Sequence, residues 1–297
     1  MPQVKPTAAS PPDTQLATDG SQPPADSDVE EIELTLLVEG IESRYGYDFR
    51  HYSRPSLRRR VRTVVTAEQL ASISALQERL LRDPACMARF IDAISVSTTS
   101  MFRDPSYYRS LRENVVPMLR DEPFVRIWVP GCATGEEVYS LAIVLKEEGL
   151  HDRSLIYATD MSDDVIANAK QGVFALRQMQ GFTRNYQQAG GRASFSDYYS
   201  AKYGKAIISK DLKEKIVWAV HNLVTDRSFN EFQFVSCRNV LIYFDETLRT
   251  HVLQLISDSM AAGSYLALGS KESLTFTPFE ASYFPVDQSA AIYRKIK

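Results

Sequence analysis

Two stretches of this 297-residue chain carry residue types at a spacing suited to holding a small molecule. The first is Pro130-Gly131-Cys132-Ala133-Thr134-Gly135-Glu136-Glu137, which follows the apolar run at 125–129. A strand that enters a glycine-containing turn and then a helix forms the ligand-holding corner of a doubly wound sheet, over the carboxyl ends of the strands. Gly131 and Gly135 permit a tight turn and a close approach of backbone to a ligand. A dinucleotide fingerprint has three glycines and offers its helix N-terminus to a pyrophosphate. Here Glu136 and Glu137 stand at that N-terminus and would repel one. They suit a ligand with a positive amine, although acids are also common in a first helical turn because they complement the macrodipole. The second stretch is Ala158-Thr159-Asp160. An acid about 20 residues beyond the glycine loop accepts hydrogen bonds from ribose hydroxyls, or else caps the helix that begins near Ser162. A two-glycine loop, acids in place of a phosphate site and a ribose acid together point to S-adenosylmethionine, which has a ribose, an amino acid moiety and no phosphate.

The elements that must position these residues are legible from periodicity. Residues 125–129, 154–158, 232–236 and 265–268 read as strands, and the stretches to about 148, 163–170 and 246–260 read as helices. Alternating strand and helix predicts an α/β fold with a doubly wound, Rossmann-like parallel sheet over 123–297. Residues 282–285 and 290–295 have no helix between them and are expected to close the sheet as an antiparallel pair. Residues 177–217 break the alternation, are polar and contain Gly190-Gly191, so they are expected to form an inserted lobe. Ahead of the sheet, 29–95 reads as a small helical domain. Leu34, Leu37 and Ile41 recur at i, i+3, i+7 up to the stop at Gly46, and further helices are expected from Pro55, around Ile73-Leu76-Leu80, and over 85–94. Asp104-Pro105 looks like an N-cap and first-turn proline opening a helix to about 119, within a linking segment at 96–122. Residues 1–28 hold six prolines in the first 24 positions and almost no large apolar residues, a composition that predicts a disordered tail.

Composition excludes several classes. With 44% apolar and 24% charged residues the chain reads as an ordinary globular protein. Cys86, Cys132 and Cys237 cannot make a disulfide framework and lie at no metal-ligand spacing with the four histidines, so no metal is expected and a reduced, cytoplasmic setting fits. No apolar run approaches the length of a membrane span and the N-terminus has no signal-peptide pattern. A net charge of −3 argues against a general nucleic-acid binder.

Three motifs then resemble a known family, the CheR-type methyltransferases, which methylate glutamates on bacterial chemoreceptors. Ser97-Thr98-Thr99-Ser100-Met101-Phe102-Arg103-Asp104 is similar to the family's Asn-x-Thr-x-Phe-Phe-Arg-Glu, and 131–140 (GCATGEEVYS) to its GCSTGEEPYS loop. Residues 237–244 (CRNVLIYF) match a specific family signature, with the family's Asn-Leu pair ahead of it at Asn222-Leu223. The resemblance covers nearly everything after residue 30. It implies a class I methyltransferase domain behind an all-helical domain, S-adenosylmethionine as cofactor, and protein-glutamate O-methylation. It further implies that Ser97, Thr99, Arg103, Gly131, Glu137, Asp160, Asn222, Leu223, Arg238 and Asn239 bind the cofactor, Glu137 at its amino group and Asp160 at its ribose. Arg103 and Tyr243 would be catalytic. The lobe at 177–217 would correspond to the family's small β-subdomain, which in some members docks a receptor tail, but it shows no clear run of three strands. Other departures are Ser97 for Asn, Met101 for the first Phe, Val138 for Pro, and Gly269-Ser270-Lys271-Glu272 for Gly-His-Ser-Glu.

A glutamate with the usual pKa near 4.3 is ionised at neutral pH, so the implied reaction needs alignment and exclusion of water and no general base. Arg103 is suited to hold a carboxylate with two parallel hydrogen bonds, or else to pair with Asp104 or Glu137. Tyr243 offers a ring face to a cation, or else fills the core. Because the transfer neutralises charge, a largely apolar site with few charges is expected. Arg54, Arg58, Arg59, Arg60 and Arg62 lie within nine residues with no acid among them. Arg58, Arg59 and Arg62 are expected to steer the acidic helices of chemoreceptors to a monomeric enzyme, or else to be a solvated face. The alternatives are a non-catalytic cofactor-binding regulator with the same fold and a methyltransferase of another substrate. A dehydrogenase is disfavoured by the two acids at the glycine loop.

Overall fold

The computed structural model describes residues 26–95 and 99–297. The expected tail at 1–28 falls almost wholly outside the described residues, as does Ser97. Four helices come first: α1 (Asp26–Tyr45), α2 (Arg54–Ala67), α3 (Ile73–Arg82) and α4 (Pro84–Ile94). Prolines sit in the first turns of α2 and α4, where the missing N–H would have no helical partner, and the Ser72 and Asp83 side chains cap α3 and α4. Their shared core contains Leu34, Leu37, Ile41, Val61, Leu76, Leu80 and Phe90. Each fully buried side chain of this kind contributes about 1.5–3 kcal/mol.

The expected helix from Asp104 to 119 is α5 (Pro105–Ser110) and α6 (Val116–Leu119) joined by a π-helical turn at Leu111–Val115. Pro117 has no N–H for the carbonyl one turn back, which favours the wider turn before it. The order then runs β1 (Val125–Pro130), α7 (Glu136–Glu147), β2 (Ser154–Asp160), α8 (Asp163–Gln171), β3 (Val173–Ala175), α9 (Met179–Gln188), β4 (Tyr199–Lys202), β5 (Lys205–Ile208), α10 (Lys210–Lys213) and β6 (Ile216–Val220). It closes with β7 (Phe232–Cys237), α11 (Glu246–Asp258), β8 (Met260–Leu268), β9 (Tyr283–Asp287) and β10 (Ile292–Lys295).

Seven strands form one sheet in the order β6-β2-β1-β7-β8-β10-β9. Pairings from β6 to β8 are parallel, whereas β10 is antiparallel to both β8 and β9, as its lack of a crossover helix requires. The strand order reverses between β1 and β7, and the carboxyl ends beside that switch carry Gly131, Asp160 and Arg238.

The lobe differs from expectation in two respects. It does contain a three-stranded antiparallel sheet, β3-β5-β4, whose strands of three to four residues are too short to show alternation. Its expected bounds also miss: β3 lies ahead of the start at about 177, and the end at about 217 cuts into β6, an edge strand of the main sheet with most of its residues exposed or half-buried, which blurs its apolar signal.

Candidate active site

The helical domain is stitched to the sheet domain at the loop after β7. Ser53 N donates to Tyr243 O at 2.8 Å and Asp245 N to His51 O at 2.9 Å, which makes Tyr52 and Phe244 an isolated antiparallel bridge. This contact roofs a cleft of about 730 Å³ that opens to solvent. Tyr52, Ser56, Leu57 and Arg60 line it from the helical side, and Gly131, Asp160, Met161, Asn222, Leu223, Asn239 and Tyr243 from the sheet side. An adjoining cleft of about 460 Å³ is lined by Thr99, Arg103, Gly131, Glu137, Ser236, Arg238, Asn239 and Tyr243. The two share Gly131, Asn239 and Tyr243. Every described residue expected to bind cofactor or act in catalysis therefore lines one cleft or both.

Glu137 sits in the first turn of α7, and among the described residues its Oε1 accepts from Ser236 Oγ at 2.7 Å and its Oε2 from Arg238 at 3.1 Å. Burial pushes its carboxyl above the ordinary value, against the pull of Arg238 and Arg103. A carboxylate has about four acceptor sites, and these bonds fill two of them. Arg238 also donates to Asp104 at 2.8 Å and to the Arg103 carbonyl at 3.1 Å, and lies 3.9 Å from the centre of the Tyr107 ring. Burial works against its charge, and Glu137 together with the nearby tyrosines and Asp104 outweighs this and raises its pKa. Asp104 thus pairs with Arg238. Arg103 lies between two left-handed residues, Phe102 (φ 53°) and Asp104 (φ 56°), in a turn that brings it to the second cleft.

Asp160 ends β2. Its Oδ2 accepts from Ala133 N at 3.0 Å and its Oδ1 from Met161 N at 2.8 Å, which ties the glycine loop to β2. Burial raises its pKa while these backbone bonds oppose the rise. The cap of α8 is Ser162, whose side chain accepts from Val165 N, so Asp160 is not that helix's cap. Both glycines have the positive φ that the expected tight turn requires. A side chain at Gly131 (φ 65°) would stand 2.7 Å from Val240, and one at Gly135 (φ 90°) 3.2 Å from Trp218 and Tyr139. Packing against these side chains adds to the preference for glycine that the positive φ sets at both.

Three further expectations are revised. The site is not poor in charge: Arg60 and Asp160 line one cleft, and Arg103, Glu137 and Arg238 the other. The reason is that Glu137 and Arg238 offset each other. The arginines of α2 are not an unopposed basic face, because α1 sets acids beside them. Arg62 is held by Glu30 with two bonds, and Arg58 and Arg54 pair with Glu31. Arg58, Arg59 and Arg62 lie outside both clefts, and Arg59 is exposed with no ion pair recorded among the described residues. The residue that enters the cleft is Arg60. Its guanidinium donates to the Ile94 carbonyl and lies 4.7 Å from the centre of the Tyr243 ring, and burial lowers its pKa. The signal was present: Leu57, Arg60, Val61 and Val64 share the inward face of α2 at i, i+3, i+4, i+7. Met101 and Val138 are fully buried and line neither cleft, so those two departures are changes of core packing.

A glycine corner at the switch point, an acid at the end of β2 and a half-buried carboxylate at the start of α7 are the features of a class I S-adenosylmethionine-dependent methyltransferase. Residues 97–287 match the family described as CheR methyltransferase, SAM binding domain, and residues 32–95 match CheR methyltransferase, all-alpha domain. The chain belongs to the CheR methyltransferase family, and its cofactor is S-adenosylmethionine. It is 43% identical to the putative methyltransferase Cher3 of Pseudomonas putida, over 89% of this chain and 97% of that protein. It is 28% identical to chemotaxis protein methyltransferase 1 of Vibrio cholerae, over 79% and 86%, and 27% identical to the chemotaxis protein methyltransferase of Listeria innocua, over 77% and 85%. The solved N-methyltransferase NodS of Bradyrhizobium japonicum, bound to S-adenosyl-l-homocysteine, aligns at a TM-score of 0.39 and 14% identity, over 75% of this chain and 97% of that one. Among the described residues no helix is long and apolar enough to cross a membrane.

Proposed function

We propose that this enzyme methylates glutamate side chains on the cytoplasmic helical region of chemoreceptors, acting in the cytoplasm as a monomer. The observation that carries the reading is the meeting of Arg60, Arg103 and Tyr243 around two joined clefts, where the cofactor site opens toward cations able to receive a carboxylate. The relatives named as chemotaxis protein methyltransferases support it.

The placement of the lining residues supports the following roles. Asp160, Asn222, Leu223 and Met161 hold the nucleoside end beneath Tyr52 and Ser56 of the helical domain, and Glu137 with Thr99 holds the amino acid end. When bound, the cofactor supplies a methyl group on a sulfonium. Arg103 and Arg60 orient the substrate carboxylate, which is already ionised and requires no proton acceptor. Tyr243, between the two clefts and beneath Arg60, sets the spacing of the reacting groups. The roof formed by α2 and the 51–53 segment excludes water. With Arg58 and Arg62 engaged by α1, Arg59 is the docking cation of α2 that meets an acidic helix first.

The test is incubation with methyl-labelled S-adenosylmethionine and a receptor cytoplasmic fragment. Base-labile label released as methanol, and lost when the acceptor glutamates are changed to alanine, is the expected result. Binding of S-adenosylhomocysteine without label transfer to any acidic receptor helix would turn the assignment toward a cofactor-binding regulator.

A further inference from the structure

The loop that carries Asn239 and Tyr243 is held from behind by a carboxylate with no assigned role. Glu272, in the turn after β8, is 8% exposed. Its Oε2 accepts from Asn239 N at 2.8 Å and Gly269 N at 2.6 Å, and its Oε1 from Ile242 N at 3.1 Å. Among the described residues its hydrogen-bond donors are all backbone N–H groups. Three such donors on one buried carboxylate are charge-assisted bonds, about twice as strong as neutral ones. The approach is close: a side chain on Gly269 would stand 2.6 Å from Asn239 Nδ2 and 2.7 Å from Glu272 Oε2. The bonds fix Asn239 in a left-handed conformation (φ 61°) and start the turn at Leu241–Tyr243. From the other side, Ser53 holds the Tyr243 carbonyl.

We infer that Glu272 is a positioning residue for methyl transfer, clamping the loop after β7 so that Asn239 and Tyr243 line both clefts in the geometry that binds the cofactor. This rests on the reading that those clefts hold the cofactor and reacting groups. A glutamine here presents one acceptor oxygen and turns an amide toward at least one of the three donors, which then lacks a partner.

The experiment compares wild type, Glu272→Gln, Asn239→Gly and the double variant. Glycine at 239 removes the side chain and keeps the left-handed backbone. Titration with S-adenosylhomocysteine, kcat and KM on the receptor fragment, and amide exchange at Asn239 and Ile242 are the readouts. Glu272→Gln is expected to weaken the nucleoside ligand about tenfold, to lower kcat, to leave the fragment's KM within about twofold and to speed both amides. In the double variant the losses are expected to fall well short of additivity, because both changes act on one loop. Unchanged affinity and kcat in a folded Glu272→Gln protein, or losses that simply add, would overturn the inference. If Glu272→Gln does not fold, Glu272→Asp keeps the charge, shortens the reach and is read in the same way. Failure of the wild type itself to bind S-adenosylhomocysteine would remove the underlying site assignment and this inference with it. Binding by wild type with an inert Glu272→Gln removes only the inference.

Discussion

Two buried glutamate–arginine clusters lie at opposite ends of α7, and they are built to different ends. At the C-terminal end, Glu147 accepts from Tyr186, from Tyr198 at 2.9 Å and from Arg192 N at 3.0 Å on one oxygen, and from Arg112 on the other. Glu148 beside it takes Arg112, Arg120 and Arg192. At the N-terminal end, Glu137 accepts, among the described residues, from Ser236 and Arg238. The Glu147 side chain is 4% exposed and that of Glu137 14%. Their pKa values move apart accordingly. Burial opposes the Glu147 charge but is outweighed by Tyr186, Arg192 and Arg112, so its carboxyl lies below the ordinary value, whereas burial prevails at Glu137 and lifts it. A buried ion pair does not by itself mark a binding site. What sets Glu137 apart is that, among the described residues, it has fewer partners and lines a cleft.

The sharpest way to break this comparison is through the arginines. Arg238→Met and Arg112→Met each strand buried carboxylates and are expected to cost about 3–5 kcal/mol of stability in urea unfolding. Only Arg238→Met is expected to abolish S-adenosylhomocysteine binding by the folded protein. Comparable loss of binding in Arg112→Met would mean that the two clusters are one functional unit.

The glutamates give a smaller, signed contrast. Glu147 has a folded pKa below its unfolded value, so its ionised form stabilises above the unfolded pKa and that contribution is lost as pH falls through the folded one. Glu147→Gln is therefore expected to lose about 1–3 kcal/mol at pH 7 with cofactor affinity intact. Glu137 has the opposite sign, so its ionised form is a burden on the empty fold at pH 7. Glu137→Gln is expected to cost less stability than Glu147→Gln, because Arg238 keeps Asp104 as a partner, and to weaken the cofactor about tenfold or more. Destabilisation by Glu137→Gln equal to that of Glu147→Gln would erase the distinction. In the wild type, affinity for the cofactor should fall with decreasing pH from above the ordinary glutamate range near 4.3, since the ammonium needs the ionised carboxylate. A calorimetric profile flat to that range would exclude Glu137 as the ammonium's partner.

The smallest effect concerns α2. Arg59→Glu is expected to raise the fragment's KM a few-fold at low salt, and Arg62→Glu less, because Arg62 is already engaged by Glu30. Equal effects would return docking to the whole basic stretch.

Much of the fold was legible because its signals are local. The core strands of the parallel sheet are apolar runs, α1 to α4 carry helical periodicity and capping residues, and Gly131, Asp160 and the 237–244 stretch stand at strand ends where a doubly wound sheet places ligands. The three strands of the lobe were too short for alternation to register, and β6 lies at an edge where half its pattern is solvated. The reading of Asp160 as either ribose acceptor or helix cap was resolved against the cap by Ser162, one turn before Val165.

By itself the sequence determined the class of fold, the identity of the cofactor and the set of residues at the strand ends, since each depends on residue type and spacing within a few turns of chain. Only the tertiary structure decided how charge is shared. Glu30 and Glu31 reach Arg62 and Arg58 across more than 25 residues of chain, Arg238 takes Asp104 and Glu137 together, Arg60 turns inward onto Tyr243, and Glu272 gathers three backbone donors from two loops. An ion pair or a filled acceptor is a property of distance and burial, and packing brings those groups together from parts of the chain that no local pattern connects.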